Sequence, residues 1–109
     1  MVISFELQGV PFTALNGGPV YSFTPAVSFV AHCADQAEVD HLWDALTAGG
    51  KPVQCGWLTD RYGVSWQVVP ERLLTLIKDP DPAKAKRVTE AMLQMIKIDV
   101  AALEKAYAG

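Results

Sequence analysis

The pattern of hydrophobic and polar positions divides the chain into a β-rich first part and a helical last part. Residues Val2 to Leu7 and Val10 to Leu15 read as two short strands joined at Gln8-Gly9, a turn of the hairpin sort. The following "NGGP" combines backbone freedom with a proline that cannot pair, which predicts a surface loop over residues 16 to 25. "AVSFVAHC" then alternates, with Val27, Phe29, Ala31 and Cys33 on one side and Ala26, Ser28, Val30 and His32 on the other. Asp35 and Glu38 have capping-box spacing, and Val39, Leu42, Trp43 and Leu46 recur at helical intervals before Gly49-Gly50. An amphipathic helix packed on a sheet follows from this pattern.

After Pro70 the spacing is helical throughout. "ERLLTLIKD" predicts a short helix. "DPDPAKAKRVTEAMLQMI" predicts a second, with Asp81 as its N-cap, Pro82 in the first turn and an apolar stripe of Ala85, Val88, Met92, Met95 and Ile96. Asp99 suits the cap of a last helix, with Ile98 and Leu103 placed as a hydrophobic staple. Trp43 and Trp66 are assigned to the core, and Lys84, Lys86 and Arg87 to a solvated helix face.

Composition narrows the function classes. A chain of 109 residues, half of them hydrophobic, suffices for a single domain, residues 1–109, with a modest core. The formal charge of −3 with scattered Lys and Arg supplies no basic stripe, which argues against a nucleic-acid partner. There is no apolar run of membrane-spanning length and no signal-peptide pattern, so the expectation is a cytoplasmic protein without membrane contact. Cys33 and Cys55 are expected to remain thiols in such a compartment.

The span "QCGWLTDRYGVSWQVVP", Gln54 to Pro70, reads as a strand hairpin whose turn sets the facing of its side chains. A type I turn followed by a left-handed Gly63 makes a three-residue loop that pairs Asp60 with Val64 and Trp57 with Gln67. A four-residue loop would instead set Trp57 opposite Trp66. The first is preferred because Gly63 sits where positive φ is needed. One face then carries Cys55, Trp57, Thr59, Ser65, Gln67 and Val69, and the other Leu58, Val64, Trp66 and Val68.

"FTALNGGP", "PAVSFVAHC", "VDHLWDAL", the hairpin just quoted, "DPDPAKAKRV" and "AMLQMIKIDVAALEKAYAG" together resemble the PhnB-like branch of the glyoxalase, bleomycin-resistance and dioxygenase superfamily. Members of this branch are often labelled 3-demethylubiquinone 3-methyltransferase. The resemblance implies an α+β fold of paired β-α-β-β-β modules, each curling a sheet around a cavity, commonly in a homodimer. Only the end of a first module precedes the complete one here, followed by C-terminal helices. Uncovered backbone and apolar faces need another surface, and a dimer is the simplest source.

In metal-dependent members a His begins the strand matching "AVSF" and a Glu ends the strand matching "GVSWQ". Those positions hold Ala26 and Gln67. Neither suits a divalent transition metal, so neither a metal nor a cofactor is expected. The methyltransferase label lacks a Gly-rich strand-to-helix turn, since "NGGP" precedes a loop. Trp57, Ser65 and Gln67, with Ser28, His32 and Cys55, form the candidate surface for a small, partly aromatic molecule. A Cys55/His32 or metal-assisted reaction is the enzymatic alternative, and a noncatalytic dimerisation module the other.

Overall fold

The computed structural model describes every residue from Met1 to Gly109. Strands β1 (Val2–Leu7) and β2 (Val10–Leu15) pair antiparallel from Val2↔Leu15 to Leu7↔Val10. Gln8 and Gly9 take φ of 49° and 82°, the type I′ geometry whose twist matches the strands. Ile3, Phe5 and Leu7 share a face with Ala14, Phe12 and Val10, which makes one side of this two-stranded sheet apolar.

The second sheet contains β3 (Phe29–Cys33), β4 (Lys51–Pro52), β5 (Trp57–Thr59) and β6 (Ser65–Pro70) in the order β3-β6-β5-β4. β3 runs parallel to β6, whereas the β4–β5 and β5–β6 pairs are antiparallel. With α1 (Gln36–Thr47) between β3 and β4, this is one β-α-β-β-β module. β4 is too short to show alternation in the sequence. β3 starts three residues later than the alternation suggests, because Thr24-Pro25-Ala26-Val27 is a turn. Val27 N–H donates to Thr24 O at 3.3 Å and Ala26 N–H to Thr24 Oγ1 at 3.2 Å, and Pro25 at the second turn position favours that bend.

α1 begins where the sequence places it, with Asp35 accepting the Glu38 N–H. Its Val39 and Trp43 pack on Cys33, Leu58 and Val68, with Leu42, Leu46 and Trp66 at the margin. A second core lies under α2 (Glu71–Ile77), α3 (Pro82–Leu93) and α4 (Val100–Ala108), where Val69, Leu73, Leu76, Val88, Ile98 and Leu103 meet. Asp81 caps α3 and Asp99 caps α4, and the staple pair Ile98 and Leu103 is fully buried.

The C-terminal region departs from the sequence pattern at two points. α3 ends at Leu93, so Met95 and Ile96 leave its stripe and their carbonyls accept the Cys55 and Gly56 N–H groups, each at 2.8 Å. Gly56 is required there: its φ is 81°, and a Cβ would lie 2.9 Å from Ile98. Arg87, expected on a solvated face, instead donates to the carbonyls of Ala106 and Tyr107 at the end of α4. Gln36 ties this region back to α1, donating to Ile98 O and accepting from Val100 N–H.

The molecule is elongated, 53 × 26 × 23 Å, with a radius of gyration of 16.0 Å. A compact domain of similar length has about 13 Å. No residue of β1 or β2 is buried, and Phe12 alone is half-buried.

Candidate functional site

The turn between β5 and β6 takes the three-residue form. Asp60 N–H donates to Val64 O at 2.8 Å, Gly63 N–H donates to Asp60 O at 3.0 Å, and Gly63 has φ of 88°. Trp57 therefore faces Gln67, Leu58 faces Trp66 and Thr59 faces Ser65. The Asp60 carboxylate locks the corner: Oδ1 accepts from Tyr62 and Val64 N–H, and Oδ2 accepts from Trp66 Nε1–H at 2.9 Å.

The structure places the six residues singled out in the sequence as follows. Gln67 Nε2 donates to Ser28 Oγ at 2.9 Å, joining these two across β6 and the start of β3. Trp57 is half-buried beside Gln67 in register, and Ser65 is buried. His32 is exposed and registered with Val69. Cys55 lies outside the strand alternation, in left-handed backbone at φ 59°, with its thiol 3.8 Å from Leu93 O. Val69 belongs to the core under the C-terminal helices.

β6 runs between His32 and Cys55: His32 is registered with Val69, while Gly56 O accepts from Val68 N–H. Two strand spacings, roughly 10 Å, therefore separate a thiol and an imidazole that would need hydrogen-bond contact to work as a pair. The other thiol, Cys33, is fully buried with its pKa pushed up to about 11, chiefly by burial and secondarily by Glu38 and Asp35. It is a core filler rather than a nucleophile.

His, Cys, Asp and Glu side chains nowhere gather in a group of three suited to a metal. Of the two positions matching ligands in metal-dependent relatives, Ala26 carries no donor atom and Gln67 offers an amide already bonded to Ser28. This donor set does not fit a divalent transition metal. The turn from β3 into α1 is Ala34-Asp35, without glycine and with a carboxylate over the first amides.

The open space lies elsewhere. A cavity of about 440 Å³ opens between Leu7, Val10 and Phe12 of the hairpin, Phe29 of β3, and Leu42 and Leu46 of α1. A larger one of about 770 Å³ lies between the apolar hairpin face and Phe23, Phe29, Tyr62 and Trp66. Phe12, Phe29 and Trp66 belong to both. Their rings form a continuous series from Phe5: Phe5 stacks on Phe12 at 5.6 Å, Phe12 meets Phe29 edge-on at 5.7 Å, and Phe29 lies 5.3 Å from Trp66.

Trp66, assigned to core by the sequence pattern, is half-buried and lines both cavities, whereas Trp57 lines neither. The reason is that α1 covers only part of the face it shares with Trp66, and the hairpin stands over the remainder. Among the six residues singled out, His32 alone borders either of these two cavities, the smaller one. Phe5, Phe12, Phe29 and Asp60 line the cavities without being candidate site residues in the sequence. The alternation of Ile3, Phe5 and Leu7 was the available signal for an apolar wall, but it does not say which surface that wall faces.

A β-α-β-β-β module with an appended hairpin and aromatic-lined cavities is a glyoxalase-like protein. The family model described as 3-demethylubiquinone-9 3-methyltransferase matches residues 1–69, and the chain belongs to that family, the PhnB-like branch of the superfamily. Among solved structures it resembles a putative 3-demethylubiquinone-9 3-methyltransferase, a PhnB protein from Bacillus cereus. They are 29% identical with a TM-score of 0.60, over 64% of each chain. The protein PA1353 from Pseudomonas aeruginosa shares the fold at 22% identity and a TM-score of 0.54, over 64% of this chain and 62% of its own. The chain thus spans less than two thirds of either structure's length. No curated protein matches it.

Proposed function

We propose that this PhnB-like chain binds a small, partly aromatic molecule in the space between the β1–β2 hairpin and the Phe29–Trp66 edge of the module. The observation that carries the reading is the aromatic wall of Phe12, Phe29 and Trp66 common to both cavities. Flat rings with an open side offer stacking surface, and burial of a ligand there removes apolar area from water on both partners. The reading moves the candidate site from the Trp57 face to the Trp66 face of the same hairpin. No reaction is assigned: His32 borders the smaller cavity and Asp60 the larger, and neither is joined there by a thiol or a metal-ligand set.

Titration with the neutral fluorescent probe N-phenylnaphthylamine tests it. Binding should enhance probe emission and change Trp fluorescence. Trp66→Leu should weaken binding at least about tenfold, and Trp57→Leu should leave it within about twofold. The opposite order would return the site to the Trp57 face.

A partner reading rests on a different observation. Val2, on the other hairpin face, is 63% exposed and lines neither cavity, and Tyr21 in the following loop is 92% exposed. A ligand in the cavities would leave Val2 and Tyr21 uncovered. A second copy of the chain fits the outer face, consistent with the homodimer that the family resemblance implies. Sedimentation at micromolar concentration should give a dimer, and Val2→Lys should shift it to monomer; a wild-type monomer would remove this reading.

A further inference from the structure

The larger cavity combines two features that belong together chemically. Its wall contains six aromatic side chains, Phe5, Phe12, Phe23, Phe29, Tyr62 and Trp66, and its single charged lining residue is Asp60. Aromatic faces are the negative part of a ring's quadrupole, and a carboxylate beside them adds a full negative charge. Such a wall favours an organic cation over a neutral molecule of equal shape, and disfavours an anion.

Asp60 is pre-organised for this role. A carboxylate has about four acceptor positions across its two oxygens. Oδ1 receives two backbone N–H groups and Oδ2 receives the Trp66 indole N–H, so the bonds hold the group still and leave acceptor capacity on Oδ2. The cation next to it in the chain is Arg61. Its guanidinium is directed to Tyr62, donating to the hydroxyl at 2.8 Å and lying 4.9 Å from the ring centroid, and it forms no ion pair with Asp60. Arg61 is exposed and does not line the cavity.

We propose that the ligand of this site is an organic ammonium ion carrying an apolar or aromatic group. The cationic head would rest against the aromatic faces beside Asp60, and the apolar part would fill the space under the hairpin. This rests on the ligand-binding reading above and specifies the ligand's charge. The orientation follows from cost: removing an ammonium from water is tolerable only where a carboxylate and π faces replace its hydration.

The test compares two probes of nearly identical shape, benzyltrimethylammonium and neopentylbenzene, by Trp fluorescence titration of the full chain. The cation should bind about tenfold more tightly. In Asp60→Asn, with folding checked by thermal melt, the cation-to-neutral affinity ratio should fall to about threefold or less. Arg61→Gln removes the competing charge and should tighten cation binding about twofold to threefold, without affecting the neutral probe. Neutral probe binding equal to or tighter than the cation's would overturn the proposal while leaving the aromatic-ligand reading in place. An unchanged ratio in Asp60→Asn, or no gain in Arg61→Gln, also counts against it. Failure of both probes to bind would remove both readings.

Discussion

The β-α-β-β-β module and the β1–β2 hairpin use the same strand chemistry, yet only the module has an interior. Cys33, Leu58 and Val68 in its sheet are fully buried beneath α1, whereas Ile3 and Leu7 of the hairpin remain 52% and 44% exposed. Alternation is sufficient to form a hairpin with a defined register. It is not sufficient to hold one, since two strands alone are marginal in water and need a third layer. Here that layer is the edge of the module, reached through Phe12 on Phe29. The candidate site lies in this seam, so one of its walls is packed firmly and the other is secured by a few aromatic contacts. A ligand in the seam would be expected to order the hairpin, because it supplies contacts that this wall lacks.

The largest expected contrast comes from truncating one residue in each region. Leu58→Ala removes a fully buried side chain and should destabilise by about 3 kcal/mol. Phe5→Ala, at a position already 43% exposed, should cost below about 1 kcal/mol. Denaturant unfolding of both measures the difference, and equal losses would mean that the hairpin is part of the main cooperative unit. Phe29→Ala addresses the seam itself. It should cost about 1–2 kcal/mol and, more tellingly, speed amide exchange in β1 and β2 while α1 stays protected.

A smaller effect is expected in the C-terminal helices. Asp99→Ala deletes the N-cap of α4, where the carboxylate receives Ala102 N–H, and should lower stability by about 1 kcal/mol without changing hairpin exchange. The smallest is a pH effect that does not involve the hairpin. Burial raises the Cys33 pKa from 9.0 to about 11, so the folded state holds this proton more tightly than the unfolded chain. The associated stability is complete below about pH 9 and is lost as pH rises through about 11. Tyr107, raised chiefly by its bond to Asp79, acts in the same direction. Cys33→Ala should reduce the alkaline fall in Tm and leave the Tyr107 contribution; an identical alkaline profile would show that Cys33 does not titrate with unfolding.

Local chemistry made much of this protein legible in its sequence. Gly63 sets the Asp60–Val64 pairing and therefore the register of Trp57 and Trp66, and Asp35, Asp81 and Asp99 begin their helices because each side chain can accept nearby amides. The family resemblance was carried by stretches from the hairpin, the module and the C-terminal helices, and the family model matches residues 1–69. Tertiary structure decided what alternation cannot encode, namely which surface covers each face. Cys55 left the strand pattern because its N–H is taken by Met95 O in a segment forty residues away along the chain. Trp66 became a cavity wall because α1 covers part of its face and the hairpin stands away from the rest. A period of two assigns side chains to faces, but a cavity exists only where two faces approach without closing, and that is set by the packing of whole elements.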